Sequence, residues 1–100
     1  MPAKPASPLE AMLTRLESLH ARIEAEIQGG DHAAANLLII LELYPLQAEV
    51  AKRREMIQEL RKFDPRGPGT SARLIERTDR LSKKSVDIMA KVHAQHRAFP

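Results

Sequence analysis

The chain contains no cysteine and no tryptophan, and its 100 residues include only one tyrosine and two phenylalanines. Without cysteine there is no disulfide framework, thiolate nucleophile or thiolate metal ligand. That suits a reducing compartment, and the expected location is the cytoplasm. With Tyr44, Phe63 and Phe99 as the whole aromatic set, the core must be aliphatic. A core of Leu, Ile, Val, Met and Ala favours helix packing over a β-sandwich, where β-branched and aromatic residues concentrate. No uninterrupted apolar run approaches the roughly 18 residues of a membrane span. Residues 1–8 hold one lysine and three prolines and no apolar stretch of signal-peptide type. No membrane partner is expected.

Catalytic signatures are equally scarce. Ser18, Ser82 and Ser85 lack a glycine-framed elbow. His93 and His96 lie three apart on one helical face, but a zinc site needs three or four protein ligands, and neither His20 nor His32 has a ligand spacing beside it. The segment Arg66-Gly67-Pro68-Gly69-Thr70-Ser71 precedes a helix start, yet it lacks the glycine-lysine-serine/threonine ending of a phosphate loop and reads as a connector. Arg15 and Arg22 stand one heptad apart on the first helix and fit its solvent side as well as a polar pocket. The chain reads as a non-enzyme with no metal and no cofactor.

What is present is an unusually apolar decapeptide. Residues 37–46 are Leu-Leu-Ile-Ile-Leu-Glu-Leu-Tyr-Pro-Leu. On a helix at about 100° per residue these side chains point almost all the way round, with Glu42 the one polar interruption. A helix in a small monomer needs one buried stripe. The excess predicts a second subunit or a bound partner, with Leu37, Leu38, Ile40, Leu41 and Tyr44 as the oligomerisation residues and a homodimer as the expected form.

The pattern along the chain predicts an all-α, three-helix bundle with a long, proline-kinked central helix, completed by dimerisation. Residues 1–7 form a flexible arm and residues 8–97 a single helical domain. Ser7-Pro8-Leu9-Glu10 opens the first helix with a cap, a first-position proline and a capping-box glutamate. Its apolar stripe is Leu9, Met12, Leu16, Leu19, Ile23 and Ile27, flanked by Leu13 and His20, and it stops near residue 28 at Gly29-Gly30. Asp31 caps a second helix over 32–63. Pro45 interrupts it, but no polar turn residue accompanies the proline, so one kinked helix is expected rather than two. After the proline the stripe narrows to Leu46, Val50, Ile57 and Leu60, with Met56 and Phe63 at its edge. Asp64 to Ser71 is a loop, and Thr70 or Ser71 caps a last helix over 72–96. There Leu74, Thr78, Leu81, Ser85, Ile88 and Val92 alternate at four and three as a heptad seam.

Charge is unevenly placed. Residues 1–50 hold three basic and seven acidic side chains, a net of −4, and residues 51–100 hold thirteen and six, a net of +7. An acidic helix packed beside a basic one accounts for this; so does a surface for an acidic partner. Arg73, Arg77, Arg80, Lys84 and Lys91 share one flank of the last helix within about 60° of arc. The first four are the candidate partner-binding residues. The run Lys52-Arg53-Arg54 is surrounded by Glu49, Glu55 and Glu59 and reads as a solvated face. The functional expectation is a non-enzymatic protein-interaction module: a small chaperone, adaptor or inhibitor. The alternative is a nucleic-acid-associated protein using the basic stripe, although no aromatics interleave with it for stacking.

Overall fold

A computed structural model describes residues 8–61 and 69–98, and every one of these lies in a helix or in the turn between the first two helices. The order is α1 (Pro8–Gln28), α2 (His32–Leu38), a π turn (Ile39–Leu43), α3 (Tyr44–Arg61) and α4 (Gly69–Ala98). The expected arm at 1–7 and residues 62–68, which hold most of the expected loop from Asp64 to Ser71, lie outside the described residues, as do the side chains of Leu60 and His96.

α1 ends as its two glycines predict. Gly30 has φ +81°, the left-handed conformation that glycine adopts without strain. Its N–H donates to the Ile27 carbonyl, and the Asp31 N–H donates to the Glu26 carbonyl, which is the paired closure of a Schellman motif. Asp31 then opens α2, its Oδ1 accepting from the Ala34 N–H at 3.0 Å. One residue thus closes a helix and caps the next, and α1 and α2 fold back as an antiparallel hairpin.

Pro45 does not break the chain's helical course. Ile39 and Tyr44 both have right-handed helical dihedrals, and the Tyr44 N–H reaches back five residues to the Ile39 carbonyl. In a regular ladder Pro45 would orphan one carbonyl and press its ring on the preceding turn, at about 3 kcal/mol. The wide turn directly before it loosens the ladder where that collision would fall. α2, the π turn and α3 therefore run on as one helix, and residues 44–48 are helical.

The core is shared by all three helical stretches: Leu9, Leu13, Leu16, Leu19 and Ile23 from α1; Ala35, Ile39, Leu43, Leu46 and Val50 from the central helix; Ile88 and Val92 from α4. Two details depart from the sequence reading. On α1 the buried residues are Leu9, Leu13, Leu16, Leu19, His20 and Ile23, whereas Met12 and Ile27 sit half-buried at the edge. The two residues expected as flanks, Leu13 and His20, are as buried as the stripe. On α4, Ile75 is buried while Leu74 and Leu81 are half-buried, so the seam is rotated slightly from the expected one. α4 also begins at Gly69, three residues before the expected start, so Thr70 and Ser71, expected as loop residues that cap it, lie within the helix. The stretch His32–Glu59 is long and apolar enough, by length and composition, to cross a membrane. Its inward side chains Ile39, Leu43, Leu46 and Val50 are spent on the core shared with α1 and α4.

Candidate functional site

The decapeptide 37–46 divides between two faces. Ile39, Leu43 and Leu46 point into the core, and Leu38 packs at its edge. Leu37, Ile40, Leu41 and Tyr44 stay exposed, at 56, 49, 68 and 46%. Their spacing of three, one and three places them on one outward ridge, and the π turn lies at its middle. Four of the five predicted oligomerisation residues are thus brought together on the surface, and Leu38 is the half-buried fifth.

Beside this ridge lies an open groove of about 470 Å³ between α1 and the central helix. Its apolar lining includes Met12, Leu19, Leu41 and Leu46. Arg15 and Arg22 stand on the α1 bank, and Glu42 and Glu49 stand on the opposite bank. Arg22 meets Glu42 in a two-pronged ion pair, Nη1 to Oε1 at 3.3 Å and Nη2 to Oε2 at 3.4 Å. The antiparallel register then sets Arg15 opposite Glu49, seven residues further along each helix. That second rung is not closed: both side chains are exposed and no ion pair joins them. A second groove, lined by Ala34, Leu37, Leu38 and Leu41, continues past the Arg22–Glu42 pair on its other side.

No protein family model, curated protein or solved structure matches this chain.

The basic flank of α4 is partly spent within the fold. Arg77 pairs with Glu17, and Lys84 with Glu24 at 3.1 Å, so two cations one heptad apart on α4 meet two acids one heptad apart on α1. Arg54 of α3 holds Asp79 of α4 through Nε to Oδ1 at 2.7 Å and Nη2 to Oδ2 at 3.2 Å. The two α1–α4 pairs account in part for the opposite net charges of the two chain halves. Arg73 and Arg80 remain exposed on the same flank.

A polar chain also crosses the interior. The Ser85 hydroxyl donates to Gln47 Oε1 at 2.8 Å, and Gln47 Nε2 donates to Ser82 Oγ at 2.7 Å. His20 Nε2 lies 2.7 Å from Ser85 Oγ. Because a carboxamide oxygen only accepts, the Ser85 proton is committed to Gln47, and His20 Nε2 must be the protonated nitrogen that donates. His20, Ser85 and Thr78 are fully buried, and His20 Nδ1 has no partner among the described residues. Burial lowers the His20 pKa from its ordinary 6.5, and Lys84 pushes the same way against the opposing Glu24 and Glu17. A neutral imidazole thus ties α1 to α4, and Gln47 ties α3 to α4 through Ser82 and Ser85. These bonds lock the groups to one another and fix the registry of the three helices. His93 is exposed on α4, and the described residues contain no group of three or more side chains arranged to hold a metal ion.

Proposed function

We propose that the chain is a non-enzymatic protein-interaction module of the cytoplasm, a three-helix bundle completed by a second copy of itself. As a chaperone, adaptor or inhibitor it would present a helical surface to another protein. The observation that carries this reading is the exposed ridge of Leu37, Ile40, Leu41 and Tyr44 beside an apolar groove. Monomeric proteins seldom leave such contiguous patches bare. Covering the half of each side chain still in water is worth roughly 1 kcal/mol apiece. The basic flank of α4 supports a separate contact with an acidic protein surface through Arg73 and Arg80, with charge steering the approach. Arg77 and Lys84 engage α1, which leaves fewer cations to follow a phosphate backbone and weakens the nucleic-acid alternative.

Light scattering at about 100 µM tests the self-association, since a micromolar dimer is then almost fully formed. A dimer mass that falls to monomer in Leu41→Asp, with helicity retained, is the expected result. A monomer mass for the unaltered chain refutes it. Duplex DNA affinity that falls steeply with salt would instead favour the nucleic-acid alternative.

A further inference from the structure

The open rung of the α1–α3 groove specifies where a second copy sits. We propose that two copies meet groove to groove about a two-fold axis, the Arg15 of each chain pairing with the Glu49 of the other. This rests on the self-association reading above and adds its register.

Three observations lead there. The first is the pattern of charge. Arg15 and Arg22 on one bank, and Glu42 and Glu49 on the other, are heptad-spaced rows of opposite sign with an apolar floor between them. The inner rung, Arg22–Glu42, closes within the chain, while the outer rung does not. The second is self-complementarity. A two-fold contact apposes the same patch on both chains, so one geometry satisfies both leftover charges twice. An acidic protein, an anionic lipid surface or a nucleic acid would meet Glu42 and Glu49 as repulsion, and a cationic partner would meet Arg15 and Arg22. A patch that carries both signs in equal number fits a copy of itself. The third is continuity. Leu41 lines the groove and also belongs to the exposed ridge. An occupant of the groove therefore covers Leu41 and adjoins Leu37, Ile40 and Tyr44. Burial supplies the affinity, and the Arg15–Glu49 pairs fix the alignment.

The test is a charge exchange. Arg15→Glu and Glu49→Arg are made separately, and dimer dissociation is followed by sedimentation equilibrium, with circular dichroism as the check on helicity. Both residues are exposed, so the helices should persist. Each single variant should dimerise at least about 10-fold more weakly, because two attractive pairs become two repulsive ones. An equimolar mixture of the two variants should form a heterodimer within about threefold of the original affinity, since each like-charge clash then becomes an opposite pair. If the unaltered chain is a monomer, the self-association reading fails and this proposal fails with it. If the unaltered chain dimerises and both variants match it, or if the mixture shows no recovery, self-association stands and this seat is overturned.

Discussion

α1 faces two neighbours and pairs its heptad-spaced charges fully with only one of them. Toward α4, Glu17 and Glu24 are both engaged, by Arg77 and Lys84, and the buried His20–Ser85 bond lies on the same helices. Toward the central helix, Arg15 and Arg22 face Glu42 and Glu49 with the same heptad spacing, yet only one rung closes and an open groove remains. The two seams use the same charge chemistry, so charge alone does not explain the difference. The α4 seam has small and polar residues, Thr78 and Ser85, at its centre, and a smaller groove of about 350 Å³ stays open beside Glu17, Arg77 and Lys84. The central-helix seam carries Leu41 and Pro45 at the groove and a π turn beside them. Both seams bury core residues; they differ in the charged rung that one of them leaves unpaired at the surface.

The sharpest way to break this comparison is to place one charge on each side of the same helix. Leu43→Asp should abolish folding, because Leu43 is fully buried and an unpaired charge there is costly. Leu41→Asp, two residues away and 68% exposed, should retain helicity and lose only the dimer mass. Circular dichroism with light scattering separates the two outcomes. Equal loss of helicity in both would mean that the ridge belongs to the core.

A smaller effect is expected from the polar chain. Ser85→Ala removes the partner of His20 Nε2 and of Gln47 Oε1 at once, and urea denaturation should show a loss of about 1–3 kcal/mol. The pH dependence follows from the same group. His20 is lowered in the folded state, so below its unfolded value of about 6.5 the unfolded chain binds a proton that the folded chain refuses. Stability is therefore full above that pH and falls as pH drops through it. Equilibrium unfolding at pH 7.5 and 5.5 should show the decline, and His20→Gln should flatten it. Smallest of all, Arg77→Ala exposes the worth of a half-exposed staple, and chemical denaturation should detect at most about 1 kcal/mol.

Much of this architecture is legible in the residues themselves. Ser7-Pro8 and Gly29-Gly30-Asp31 carry local signals for a helix start, stop and restart, which need no tertiary knowledge. The lack of turn residues around Pro45 foretells a continuous helix, though not the wide turn that relieves the proline. Composition hides His20, because a histidine in an apolar stripe looks like an edge residue until its serine partner on another helix is known. It also hides the Arg15 and Glu49 rung, which exists only once the Gly29–Asp31 turn fixes the register between α1 and the central helix. The basic flank is visible from the sequence, but which of its cations the fold has already used is not: Arg77 and Lys84 are engaged, Arg73 and Arg80 exposed.

The π turn also alters the arithmetic of chain length. Five residues, Ile39–Leu43, complete a wide loop where a regular ladder closes with fewer, so one residue there is supernumerary. Elsewhere in the central helix, losing a residue would rotate everything downstream by about 100° and carry Leu46 and Val50 out of the core. Inside the wide turn, a deletion can be absorbed by reverting to a regular ladder, provided Pro45 is replaced so that its ring does not collide. The interior therefore has little need of the extra residue. What it enlarges is the outward ridge, where Ile40 and Leu41 stand side by side, and a chain shortened by one there would keep its phase and lose part of that exposed apolar surface.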